Sequence, residues 1–183
     1  WASELCDKQE IPVPKVIAVD DSLELIDRPF MLSAYIPAKS LPKINVPTEK
    51  KAECYVEAGH AIRRMHDITG RKFGRLALQV KADGFNTWSE AILYEIEEWK
   101  KAAVPVHLLP DNMYTEIDSL FRAHIKLLNK IVIPHLVHGD LWSGNILANV
   151  EDGICRFRAL IDADHSLFGD PEFDFSGGMV NEA

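Results

Sequence analysis

Cysteine is scarce in this chain of 183 residues: there are only three, Cys6, Cys54 and Cys155, widely spaced and odd in number. That excludes a disulfide framework and favours a reducing, cytoplasmic compartment. No apolar run approaches the roughly 20 residues that span a bilayer, and no leader pattern opens the chain. Repeats, low-complexity tracts and Gly/Ser linkers are also missing. Positive charge is the minority sign, with 20 Lys and Arg against 28 Asp and Glu and a net charge of −8. This excludes broad, unspecific nucleic-acid binding and leaves room for a cationic small molecule as partner. What remains is 47% apolar and 26% charged, enough for one good core. The chain opens on Trp1-Ala2-Ser3 with no initiator Met and closes at Asn181-Glu182-Ala183, just after an expected helix start, so it reads as an excerpt of a longer protein.

The pattern of strands and helices is irregular. Val16 to Val19, a short segment from Leu23 to Ile26, and Phe30 to Ile36 read as strands, followed by a connector marked by Pro37 and Pro42. A helix is expected from about 48 to 66, capped by Thr48, with Ala52, Tyr55, Val56, Gly59, Ile62 and Met65 on its apolar stripe. Thr87-Trp88-Ser89-Glu90 fits a capping box and starts a second helix with Trp88, Ile92, Ile96 and Trp99 inward. Asp111 caps a third, whose apolar face is Ile117, Leu120, Phe121, His124 and Leu128. Past Pro134, a short apolar strand, a hairpin turning at Glu151-Asp152-Gly153, and a helix start at Asp170-Pro171-Glu172 follow. Strands, helices, hairpin and helix in that order predict an α+β fold, not a doubly wound sheet.

Chemistry concentrates in His138-Gly139-Asp140-Leu141-Trp142-Ser143-Gly144-Asn145 and in Ile161-Asp162. Asn145 opens one hairpin strand and Asp162 ends the other, so the hairpin brings them to one spot. Both offer hard oxygen donors suited to Mg²⁺, which would take its other ligands from water and phosphate. Asp140, five residues before Asn145, can accept a proton from a substrate hydroxyl. One base and two metal-holding groups are the minimum set for phosphoryl transfer from a nucleotide. Asp164 is placed to support the metal, and Trp142 and Ser143 to line the acceptor side. His138 reads as a structural residue that holds the loop by hydrogen bonds. His135 and His138 lack the further ligands a zinc site needs.

The stretch from His138 to Asn145 resembles the catalytic loop of the kinase superfamily, in the wording of aminoglycoside phosphotransferases and fructosamine kinases. Gly139 stands where protein kinases carry Arg. Ile161-Asp162 is similar to the family's metal-binding I-D, and Phe168-Gly169-Asp170-Pro171-Glu172-Phe173-Asp174 to its G-D-P-x-x-D segment. Upstream, Phe30 to Pro37 resembles the last strand of the small lobe and the hinge. The resemblance implies that Ser33 C=O and Tyr35 N–H bind adenine, with Leu32 at the back of the pocket.

The resemblance further implies a protein kinase-like fold, with residues 1–36 ending the nucleotide-binding lobe and 37–183 forming most of the helical lobe. It implies an ATP- or GTP- and Mg²⁺-dependent phosphotransferase acting on a small hydroxylated acceptor, aminoglycoside-like or a sugar or amino-alcohol metabolite. Neither nucleic acid nor membrane is an expected partner. The phosphate-covering loop, its Lys and the paired Glu have no counterpart before Trp1, so this excerpt is expected to be weakly active or inactive. A protein kinase and a non-catalytic kinase-like binding module are the alternatives.

Overall fold

The computed structural model describes residues 2–76 and 84–176. The helix expected to run on past residue 176 lies outside them. The chain forms two compact units: one from residues 1–68, 136–166 and 171–183, the other from 69–135 and 167–170.

The first unit starts with α1 (Ala2–Lys8), which buries Ala2 and Cys6. β1 (Val16–Asp20) and β2 (Phe30–Ser33) pair antiparallel, with Ala18 opposite Leu32 and Asp20 opposite Phe30. The strand expected from Leu23 to Ile26 is absent. Residues 22–28 form bends instead, and Leu23 adopts a left-handed φ of 64° that extended pairing cannot use. β3 (Lys39–Ser40) falls within the connector expected to be irregular and pairs with the later strand at Leu147 and Ala148.

α2 (Ala52–His66) follows a 3₁₀ turn at Thr48–Lys50, so Thr48 caps no α-helix. Its buried face is Cys54, Ala58, Ala61, Ile62 and Met65, at spacings of 4, 3, 1 and 3. The expected stripe is therefore rotated: Tyr55, Val56 and Gly59 are exposed. Small and soft side chains face the sheet because they let the helix lie close to it. That sheet is β3 with β6 (Ile146–Glu151) and β7 (Ile154–Leu160). β6 and β7 join through Asp152 and Gly153, both at positive φ, 51° and 75°. This is the primed two-residue turn that matches the right-handed twist of a hairpin. Ile146, Ala148, Cys155, Ala159 and Leu160 are buried in its core.

In the second unit, α3 (Trp88–Ala103) has the expected capping box: the Thr87 hydroxyl accepts from Glu90 N–H, and the Glu90 carboxylate from Thr87 N–H. Trp88 and Ile92 are buried, Ile96 is half-buried, and Trp99 is exposed and packs on Tyr114 with ring centres 5.7 Å apart. α4 (Asp111–Ala123) has Pro110, not Asp111, at its cap position, and buries Tyr114 alone. Leu120 and His124, expected inward, are exposed. The Tyr114 hydroxyl explains the difference: it donates to Ala103 O (3.1 Å) and accepts from Leu109 N–H (3.0 Å), which sets the facing of α4. A short α5 (Ile125–Leu128) follows. β4 (Gly74–Arg75) pairs with β8 (Leu167–Gly169). Among the described residues no helix is long and apolar enough to cross a membrane.

Candidate active site

All the sequence-predicted site residues fall in the first unit. The strand β5 (His135–Val137) delivers the chain to a loop whose interior is polar and buried. Gly139 has φ 80°, and a Cβ there would strike the His165 carbonyl. Only glycine fits a left-handed residue pressed against backbone, which accounts for its presence where an Arg would stand.

His138 is fully buried. Its Nε2 lies 2.9 Å from Ile161 O, and its Nδ1 accepts from Asp140 N–H at 3.4 Å. These partners assign the neutral tautomer with the proton on Nε2. The imidazole thus ties the 138–145 loop to the backbone just before Asp162. Asp140 beyond it is exposed. Asn145, at the end of a 3₁₀ turn from Ser143, is buried and sends Nδ2 to Asp140 O (2.8 Å) and Asp140 Oδ2 (3.1 Å). The amide therefore fixes the Asp140 carboxylate, and among the described residues nothing donates to its oxygen. Ile161 N–H donates to Asn145 O (3.0 Å), closing the mouth of the hairpin.

Asp162 sits at that mouth in a left-handed conformation, φ 64° and ψ 48°. The chain after it turns through Ala163–His165, which keeps the Asp164 carboxyl close enough for its charge to bear on Asp162. Partial loss of water, then the Asp164 and Asp140 charges, push the Asp162 carboxyl above its ordinary range. Three carboxylates and an amide oxygen, all hard donors, make a neighbourhood that a divalent cation would relieve. No closed cage of three or more His, Cys, Asp or Glu side chains exists among the described residues. Mg²⁺ held largely by phosphate and water does not need one.

The residues expected to form the hinge also have a defined geometry. Ala34 N–H donates to Lys15 O at 2.8 Å, so residue 34 faces β1. Alternation then aims the backbone groups of Ser33 and Tyr35 to the opposite edge. Leu32 and Tyr35 side chains are exposed.

Two residues that sequence reasoning did not place in the site belong to its frame. Asp174, 2% exposed, accepts from Gly139 N–H through Oδ1 (2.8 Å) and from His138 N–H through Oδ2 (3.0 Å). The same Oδ2 lies 2.8 Å from Nε2 of His66, itself buried at the end of α2. A buried carboxylate with three donors is a rigid latch for the loop backbone. The signal in the sequence was Asp174 between Phe173 and Phe175: an acid flanked by large apolar residues needs buried partners.

The model of the phosphotransferase enzyme family, APH, matches residues 2–180. The chain belongs to this family. Among solved structures, it is similar to a thermostable mutant of aminoglycoside phosphotransferase APH(4)-Ia in its apo form. The TM-score is 0.64, with 17% identity over 94% of this chain and 58% of that one. It is likewise similar to a streptomycin–ATP–APH(2")-IIa ternary complex, with TM-score 0.58 and 17% identity over 94% and 55% of the two chains. A third is a putative aminoglycoside phosphotransferase from Ralstonia eutropha, with TM-score 0.64 and 20% identity over 94% and 50%. The chain thus has an α+β, protein kinase-like fold and spans between half and three fifths of these structures' own lengths. No curated protein matches it.

Proposed function

We propose that the protein carrying this chain is a nucleotide-dependent phosphotransferase that moves the γ-phosphoryl group of ATP or GTP to a hydroxyl of a small, cationic acceptor. One observation carries the reading: an exposed Asp140 carboxylate is pinned by the buried Asn145 amide beside the exposed Asp162 and Asp164. Asp140 orients the acceptor hydroxyl and takes its proton. Asn145 Oδ1 and the Asp162 carboxylate hold Mg²⁺, with Asp164 in support. The ion, when bound, neutralises charge on the nucleotide phosphates. His138 and Asp174 keep the loop in place. Ser33 C=O and Tyr35 N–H seat the adenine edge, with Leu32 beside it. Most of the rate comes from positioning, since phosphoryl transfer asks little covalent chemistry of the protein.

The membership in the family and the likeness to aminoglycoside phosphotransferases support this class of acceptor over a protein substrate. So does the acidic balance, because carboxylates bind ammonium groups. In the full-length protein, Asp140→Ala abolishes transfer while Mg-ATP binding, measured by calorimetry, persists. Near wild-type turnover by that variant would remove Asp140 as the base.

A further inference from the structure

Ser166 is 3% exposed, and its hydroxyl donates to the carbonyl oxygen of His138 at 3.2 Å. A serine hydroxyl commonly bonds backbone a few residues away. This one crosses 28 residues to the loop that carries Asp140. The Ser166 N–H donates to Ala163 O, also at 3.2 Å, and closes the turn that begins at Asp162. One buried residue thus shuts the turn and ties its far end to the 138–145 loop.

The near end is tied to the same loop. His138 Nε2 donates to Ile161 O at 2.9 Å, and Ile161 N–H donates to Asn145 O at 3.0 Å. His138 therefore brackets the turn: its ring holds residue 161 and its carbonyl holds residue 166. Between these ties Asp162 is left-handed, with φ 64° and ψ 48°. A residue other than glycine keeps that conformation only where its surroundings over-determine it. The Asp162 and Asp164 side chains are exposed, so their own packing does not supply the constraint. The hydrogen bonds at 161 and 166 do, together with the close approach of Gly139 to the His165 carbonyl.

Resting on the phosphotransferase reading above, we propose that Ser166 is a positioning residue for the metal side of the site. Its hydroxyl holds the turn so that Asp162 and Asp164 stay in register with Asp140, and this sets the affinity for nucleotide-bound Mg²⁺. The hydroxyl touches no reactant and acts through the backbone of the turn.

The test compares wild type, Ser166→Ala and Ser166→Thr in the full-length protein. Alanine removes the donor and little volume, while threonine keeps the donor. In nucleotide-free protein, hydrogen exchange over residues 161–166 is about three- to tenfold faster in Ser166→Ala, the range set by the loss of one neutral hydrogen bond. Exchange over β6 is unchanged. Calorimetry with ATP gives a Kd about three- to tenfold weaker in Mg²⁺ and the same Kd in EDTA. Ser166→Thr restores both readings. Exchange in Ser166→Ala equal to wild type overturns the tie. Faster exchange with an unchanged Mg-ATP Kd overturns the positioning role, as does equal weakening in Mg²⁺ and EDTA. Threonine matching alanine overturns the assignment to the hydroxyl. Wild-type protein that binds no Mg-ATP refutes the phosphotransferase reading itself, a separate failure, and the exchange rates still judge the tie.

Discussion

Removing the Asp174 carboxylate gives the sharpest test of how the loop is held. In Asp174→Ala, three donors lose their acceptor at once: the His138 and Gly139 amides and His66 Nε2. His138 is fully buried and His66 is 4% exposed, so water cannot replace the carboxylate without opening the structure. A buried donor left unpaired costs about 1–3 kcal/mol. Two such groups and a third, partly buried one at Gly139 add to about 3–6 kcal/mol, a large share of the 5–15 kcal/mol typical of a domain. Asp174→Asn keeps the shape and one acceptor oxygen but sets an NH₂ against a donor, so about 2–3 kcal/mol is expected. Urea denaturation of the full-length protein reads both losses, and initial rates read the loop. Turnover falls in Asp174→Asn by more than its unfolded fraction explains. A His66–Asp174 double-mutant cycle should show coupling of about 1–3 kcal/mol. If Asp174→Ala unfolds within about 1 kcal/mol of wild type and keeps its turnover, the latch does not exist.

Three further outcomes are checked more simply. Gly139→Ala forces a side chain into a left-handed position and onto the His165 carbonyl. It costs about 1–3 kcal/mol from backbone strain alone and lowers turnover sharply; a neutral result in urea melts and rate assays refutes the close approach. Thr87→Ala removes half of the capping box of α3 and lowers stability by about 1 kcal/mol in the same melts. Burial pushes the Cys6 thiol up to about 11 from an ordinary 9.0, and the Cys54 thiol, beside Cys155, up to about 12. Neither thiol reacts with Ellman's reagent at pH 8 until the protein unfolds, and fast native labelling of either refutes this. The unfolded chain loses these protons near pH 9.0 and the folded chain only near 11–12, so their stabilising contribution is complete below 9.0 and is lost as pH rises above it.

Much of this protein was legible in its residues because the deciding interactions are short-range. The primed turn needs only Asp152-Gly153, and the capping box only Thr87 to Glu90. The order of His138 to Asn145, Ile161-Asp162 and the segment ending at Asp174 was enough to indicate the family and the fold class. What the residues alone left open depends on partners distant in sequence. The facing of α2 was misjudged because Cys54, Ala58 and Ala61 carry weak hydrophobic signals, yet they permit the close approach to β7. Leu23 to Ile26 has strand composition, but among the described residues no strand pairs with it, and Leu23 is left-handed. The fixing of the 138–145 loop rests on hydrogen bonds across 36 and 108 residues, from Asp174 to His138 and to His66. Local pattern carries no information about such pairs; only the folded chain brings a buried acid to the donors that make its burial tolerable.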